Sequence, residues 1–76
     1  MKKTAIVSGG SRGLGAAIVR QLVTEDYYVY FSYRTNREQA QRLVDELGES
    51  RVSAIQCDIT DFNSVKTMVD HIFSEP

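Results

Sequence analysis

The chain alternates between two patterns of apolar and polar positions. Short apolar runs at residues 4–8, 28–33 and 52–57 are rich in β-branched or aromatic side chains, which is typical of strands. After each run, apolar residues recur every three or four positions, which predicts an amphipathic helix. The predicted order of elements is therefore βαβαβα.

Each predicted helix carries apolar side chains along one face. In the first helix, predicted over about residues 13–24, Leu14, Ile18 and Leu22 recur every four positions. The stripe of the second helix consists of Ala40, Leu43, Val44 and Leu47. The stripe of the third helix consists of Phe62, Val65, Met68, Val69, Ile72 and Phe73.

The ends of the second and third helices are marked by capping residues. Asn36, with Gln39 three positions later, predicts a capped start for the second helix, and Gly48 predicts its end. Either Thr60 or Asp61 can cap the third helix. These signals support the boundaries that the apolar pattern suggests.

Strands that alternate with helices in this way are joined as parallel neighbours by right-handed crossovers. The predicted fold class is therefore α/β with a parallel sheet. In such folds, ligands bind beyond the carboxyl ends of the strands. The residues that directly follow each predicted strand are the first candidates for a site.

The segment after the first strand reads SGGSRGLG and spans residues 8–15. It joins a strand to a helix, whose first amides are unpaired and carry a partial positive charge. Gly9 and Gly13 would permit the turn and a close approach by a phosphate or pyrophosphate, while Gly15 would let the helix pack tightly on the strand. The alternative is a glycine-rich turn that binds nothing.

A nucleoside triphosphatase loop is disfavoured by the residues that follow the glycines. Gly10 and Gly15 have the spacing of a P-loop, but Ala16 and Ala17 stand where Lys and Ser or Thr would hold the phosphates and magnesium. The order Gly-x-x-x-Gly-x-Gly also differs from the older dinucleotide pattern Gly-x-Gly-x-x-Gly.

This loop resembles the Ser/Thr-Gly-x-x-x-Gly-x-Gly cofactor motif of the classical short-chain dehydrogenase/reductase family. The resemblance continues through VYFSYRTN and CDIT and covers essentially all 76 residues. It is closest to the 3-oxoacyl-(acyl carrier protein) reductase branch. The resemblance implies that Ser11 and Arg12 touch the adenosine ribose or its phosphate, and that Leu14 donates a backbone N–H to the pyrophosphate. It also implies that Asp58 and Ile59 flank the adenine.

The resemblance implies a Rossmann-like βαβαβα half of a doubly wound parallel sheet, which has three layers in the complete fold. Residues 1–76 would form the N-terminal dinucleotide-binding half, with the catalytic half absent from this chain. Because the complete strand order is 3-2-1-4-5-6, the first strand would lie at an exposed edge here. Dimerisation across that edge would give a homo-oligomer.

The end of the second strand predicts the cofactor. An NAD site needs an acid there to bind the ribose 2′-hydroxyl, but the chain has Tyr33 at that position, followed by Arg34. Arg34 and Arg12 could bind a 2′-phosphate, which predicts NADP. The alternatives are two solvated surface arginines and, for Asp58, a simple turn or capping residue.

The catalytic residues of the resembled family are not found in the chain. The family transfers hydride between its cofactor and a small carbonyl or alcohol with a Tyr-x-x-x-Lys pair, a Ser and an Asn, whereas Lys66 has Phe62 four residues before it. We therefore predict the cofactor-binding portion of an NADP(H)-dependent oxidoreductase that is inactive alone. The alternative is a non-catalytic nucleotide-binding or oligomerising module.

Composition excludes several other classes of protein. With 42% hydrophobic residues, 25% charged residues and a net charge of -1, the chain is neither disordered nor a polycation that binds nucleic acid. The single Cys57 excludes an internal disulfide and has no partner that suggests a metal site. The apolar run behind the basic start ends at Ser8, too early for a signal or membrane segment, which predicts a cytoplasmic protein without membrane contact.

Overall fold

A computed structural model describes residues 3–11 and 13–74. Its elements are β1 (Lys3–Val7), α1 (Gly13–Thr24), β2 (Tyr27–Tyr33), α2 (Arg37–Leu47), β3 (Val52–Gln56) and α3 (Phe62–Ser74). The predicted βαβαβα order is confirmed, and strand boundaries differ from the prediction by one residue.

The three strands form one parallel sheet in the order β1-β2-β3. Ala5 pairs with Val29, and Val29 pairs with Val52 on the other side. Among the described residues, β1 and β3 are therefore edge strands. This confirms both the parallel α/β fold and the predicted exposed position of the first strand.

The two faces of the sheet are covered by different helices. Helices α1 and α2 pack with β2 and β3 in a cluster whose buried members are Ala16, Val19, Val23, Val29, Phe31, Tyr33, Ala40, Leu43, Val44 and Val52. On the opposite face, α3 contributes to a smaller cluster of Tyr30, Cys57, Met68 and Ile72. Two successive right-handed crossovers in the same direction put α1 and α2 on the same side of the sheet.

The buried face of α1 differs from the predicted stripe. Its buried residues are Ala16, Val19 and Val23, whereas Leu14 is 78% exposed and Ile18 is 42% exposed. The buried side chains are small or β-branched, and a Cβ on Gly10 would lie 3.0 Å from Val19, so this face of α1 approaches the chain below it closely. A four-residue repeat alone did not reveal this close approach.

The helix caps agree with the sequence signals. Asn36 Oδ1 accepts a hydrogen bond from Gln39 N at 3.0 Å. Gly48 has a φ of 101° and donates its N–H to the last turn of α2. Of the two candidates for α3, Asp61 is the cap, because its Oδ1 accepts from Asn63 N at 2.9 Å.

Candidate functional site

The glycine loop after β1 is tied to the end of β2. Gly9 has a φ of 68° and Gly13 a φ of 60°, a left-handed backbone that favours glycine. Gly10 N donates to the Ser32 carbonyl oxygen at 3.0 Å, and Gly9 N donates to Ser32 Oγ at 3.1 Å. Ser32 is buried, so these bonds fix the loop against the sheet.

Two glycines of the loop are required by close packing. A Cβ on Gly15 would overlap the carbonyl oxygen of Gly9, so α1 begins directly against the loop. Gly15 was predicted to let the helix pack tightly on the strand; the packing is tight, but it is against the loop that follows β1 and not against the strand itself. Gly10 has that contact instead, because a Cβ there would lie 2.6 Å from the Cβ of Phe31 in β2.

The first turn of α1 is suited to an anion. It contains no acidic residue that would neutralise the positive end of the helix dipole. The amides of Gly13, Leu14 and Gly15 lie in this turn, where helix N–H groups have no partner within the helix. Arg12, which the sequence predicts to touch the ribose or its phosphate, lies outside the described residues.

At the end of β2, a buried aromatic residue is followed directly by an exposed cation. Tyr33 is buried in the α1/α2 cluster, whereas the side chain of Arg34 is 71% exposed. A hydrogen bond with Tyr33 raises the pKa of Arg37, which places a second guanidinium near the strand end. Gln56 Nε2 donates to the carbonyl oxygen of Arg34 at 3.2 Å and links the ends of β2 and β3.

The turn after β3 fixes the Asp58 carboxylate. Its Oδ1 accepts hydrogen bonds from Thr60 N at 2.9 Å and from Thr60 Oγ1 at 2.6 Å. These bonds are the main cause of a lowered pKa for Asp58, and the charge of Arg34 lowers it further. Asp58 N donates to Ser64 Oγ at 3.0 Å, which connects the turn to α3. The carboxylate is therefore an ordered anion.

Two cavities lie at the carboxyl ends of the strands. The first, of about 230 Å³, is lined by Gly9, Arg34, Asp58 and Ile59 among others, and the second, of about 220 Å³, extends from Gly9 and Arg34 to Ser11. Arg34 and Gly9 border both cavities. The chain thus brings together five of the predicted site residues around these spaces.

Gly13, Leu14 and Gly15 line neither cavity and lie at the start of α1 instead. This separation is compatible with an extended ligand whose charged bridge lies at the helix and whose other end enters the cavities. A larger cleft of about 630 Å³ lies between the edge of β3 and α3, with Arg37 and His71 in its wall. None of the described residues of the glycine loop lines this cleft, so we take the smaller pair as the candidate site.

Sequence reasoning missed Ser32 and Thr60, which hold the site in place. A signal for Ser32 was available, since it is the small polar residue within the aromatic run of β2. A signal for Thr60 was its position two residues after Asp58, where a side chain can close a turn. In the part of the chain that the structure describes, no cluster of His, Cys, Asp or Glu could hold a metal ion.

Comparison with known families agrees with this geometry. Residues 3–75 match the model of the family described as short chain dehydrogenase. The chain belongs to the short-chain dehydrogenase family. This confirms the resemblance that the glycine motif indicated.

Among curated members of the short-chain dehydrogenase family, the chain is 38% identical over 77 residues to a 3-oxoacyl-(acyl-carrier-protein) reductase of Staphylococcus aureus strain Mu50. That alignment covers 99% of this chain and 31% of the relative. The chain is also 48% identical over 50 residues to the cyclic-di-GMP-binding biofilm dispersal mediator protein of Escherichia coli K12, covering 66% of the chain and 21% of that protein.

A solved short-chain dehydrogenase from Burkholderia cenocepacia J2315, in complex with NADP, is similar in structure. The TM-score is 0.84 at 40% sequence identity, covering 92% of this chain and 29% of that one. The chain thus spans less than a third of the length of these short-chain dehydrogenases. Among its described residues, no helix is long and apolar enough to cross a membrane.

Proposed function

We propose that this chain is the cofactor-binding part of an NADP(H)-dependent short-chain dehydrogenase/reductase. Residues 1–76 would form the N-terminal half of its dinucleotide-binding domain, and the catalytic half would lie outside them. The bound dinucleotide would supply or accept a hydride. The residues of this chain would bind it and choose between its phosphorylated and unphosphorylated forms.

The glycine loop supports binding of the dinucleotide's charged bridge. A Cβ added at Gly9 or Gly13 would meet no other atom within 4 Å, so the bare backbone borders open space. A pyrophosphate can approach such a backbone closely and accept hydrogen bonds from the first amides of α1, including that of Leu14. The ligand and the residues present therefore fit each other.

Arg34 supports the preference for the 2′-phosphate, and its position is the observation on which the proposal rests. It borders both cavities at the end of β2, where Tyr33 stands at the position of the acid that would bind an unmodified ribose 2′-hydroxyl. A guanidinium offers several donors to a phosphate. We expect Ser11 and Arg12 to approach the same phosphate, with Asp58 and Ile59 beside the adenine.

The substrate of the complete enzyme would be a small molecule with a carbonyl or alcohol group.

The chain has no Tyr-x-x-x-Lys pair, since its lysines are Lys2, Lys3 and Lys66 and none follows a tyrosine by four residues. We therefore expect these 76 residues alone to bind the cofactor without transferring hydride.

Calorimetric titration of the 76-residue chain with NADPH and NADH tests this function. We expect tighter binding of NADPH. Substituting Arg34→Asp should reduce the NADPH affinity by about ten-fold while sparing NADH, because it replaces a phosphate-binding charge with a repulsive one. Arg51→Asp makes the same change of charge at the amino end of β3, away from the cavities, and should alter neither affinity.

Two results would contradict the proposed function. One is the absence of binding of either dinucleotide by the folded chain at millimolar concentration. The other is equal affinity for NADPH and NADH that Arg34→Asp leaves unchanged, since the preference for NADP would then have no basis in this strand end.

The second candidate is nucleotide binding without catalysis. The similarity to the Escherichia coli protein whose name describes cyclic-di-GMP binding favours this alternative. Cyclic-di-GMP also carries phosphates that could lie on the glycine loop. Competition against bound NADPH would separate the candidates. If cyclic-di-GMP displaces NADPH at a lower concentration than NADH does, the second candidate is favoured.

A further inference from the structure

The two oxygens of the Asp58 carboxylate have different surroundings. Thr60 donates two hydrogen bonds to Oδ1, which fixes the plane of the carboxylate at the end of β3. Oδ2 is turned towards Arg34 and lies 4.0 Å from its Nη2. One oxygen therefore orients the group, and the other faces the Arg34 guanidinium just after the neighbouring strand.

The Arg34 side chain is attracted to Asp58 but not locked to it. A separation of 4.0 Å is too long for a hydrogen bond, and the Arg34 and Asp58 side chains are 71% and 38% exposed. The backbone of Arg34 is fixed by the bond from Gln56, so the guanidinium can move while its Cα stays in place. Arg34 can thus exchange one anionic partner for another without a change in the fold.

We propose that Asp58 competes with the ligand's 2′-phosphate for Arg34 and thereby limits the preference of the site for phosphorylated ribose. This inference rests on the proposed function, because it concerns the same cavities. Asp58 acts through Arg34 and not on the phosphate itself. It is a residue that sets specificity, in addition to any contact that it makes with the adenine.

The proposal follows from how each ligand affects the attraction between Arg34 and Asp58. To bind a 2′-phosphate, the guanidinium must turn from Asp58 Oδ2 and give up that attraction, whereas a ribose with a free 2′-hydroxyl leaves the pair intact. Partly exposed ion pairs are weak, so removal of the competitor should improve phosphate binding by about three- to five-fold.

Calorimetry with 2′,5′-ADP and 5′-AMP isolates this effect. The two ligands share the adenosine and the 5′-phosphate, so a change in an adenine contact affects both and cancels in the ratio of their affinities. For Asp58→Asn, which keeps the shape of the side chain, we expect the ratio in favour of 2′,5′-ADP to rise about three- to five-fold. Asp61→Asn removes the same charge three residues later and should leave the ratio unchanged.

A double substitution tests whether Asp58 acts through Arg34. In the Arg34→Met background, Asp58→Asn should change the ratio by much less than it does in the original chain. A full effect in that background would show direct repulsion of the phosphate and would overturn the proposal. So would a ratio that stays the same or falls in Asp58→Asn.

The failure of this inference is distinguishable from that of the proposed function. If the original chain binds 2′,5′-ADP more tightly than 5′-AMP in a manner that depends on Arg34, and Asp58→Asn leaves the ratio unchanged, the proposed function stands and the inference fails. If the folded chain binds neither ligand, both fail.

Discussion

The two faces of the sheet differ in how completely they are covered. On one face, α1 and α2 enclose side chains such as Phe31, Leu43 and Val52 in a continuous cluster. On the other face, α3 buries only Met68 and Ile72 of its own residues. The first face therefore supplies most of the hydrophobic stabilisation, since that stabilisation grows with the apolar area removed from water.

The candidate site lies where these two faces meet. The end of β2, with Tyr33 buried below it, belongs to the well-covered face. The turn after β3 belongs to the other face, because Cys57 lies in the α3 cluster and Asp58 is bonded to Ser64 of α3. We infer that the backbone at the end of β2 is held more firmly than the turn after β3, although the Arg34 side chain itself is exposed.

Matched truncations of the two clusters should produce the largest difference in stability. We expect Leu43→Ala to reduce the free energy of unfolding by about 4 kcal/mol and Ile72→Ala by about 2 kcal/mol. Leu43 belongs to the larger cluster, which both helices and the sheet form, whereas the cluster around Ile72 has only four buried members. Urea denaturation followed by circular dichroism measures both values.

A Leu43→Ala variant that is unfolded even without urea would agree with this order, provided that Ile72→Ala still shows a folding transition. A larger loss for Ile72→Ala would mean that the α3 face is the more important one, and the comparison would be wrong.

Removal of the α2 cap, which lies on the well-covered face, should reduce the free energy of unfolding by less. Asn36→Ala deletes the acceptor for Gln39 N and should cost about 1 kcal/mol. Asn36→Asp keeps that acceptor and serves as the control, with a loss of a few tenths of a kcal/mol at most. Urea midpoints measure both. Equal losses in the two variants would show that the cap hydrogen bond is not the cause.

The smallest expected effect on stability comes from the ion pair that joins α1 and α2 on the well-covered face. Arg20 Nε donates to Glu46 Oε2 at 2.7 Å and Nη2 donates to Oε1 at 3.0 Å, and these bonds lower the pKa of Glu46. Because the folded pKa is the lower one, the contribution is present above the unfolded pKa of about 4.3 and disappears as the pH falls through the folded value. Both groups are exposed and screened by solvent.

Urea midpoints of the original chain and of Glu46→Gln between about pH 7 and about pH 3 test this prediction. The original chain should lose more stability over that range than the variant does. The difference should shrink in about 1 M salt, which screens exposed charges. Parallel curves for the two proteins would show that the pair does not contribute.

Most of the fold was predictable because it depends on local signals. The strands are apolar runs, Asn36 and Gly48 mark the ends of α2, and their effects need only neighbours along the chain. The site residues around Gly9 and Arg34 were also predictable, since carboxyl ends of parallel strands meet at one edge of the sheet. The ion pair between Arg34 and Asp58 was not, because these residues follow two different strands and their side chains approach each other only in space.

By itself, the sequence determined the order of the elements, the parallel sheet and the glycine loop at the start of α1, since periodicity and backbone freedom are properties of residue type. Only the tertiary structure decided which side of α1 is buried, why Gly10 and Gly15 lack side chains, and how Ser32 and Thr60 fix the loops. These features depend on distances between segments far apart in the chain, and a one-dimensional pattern does not contain those distances.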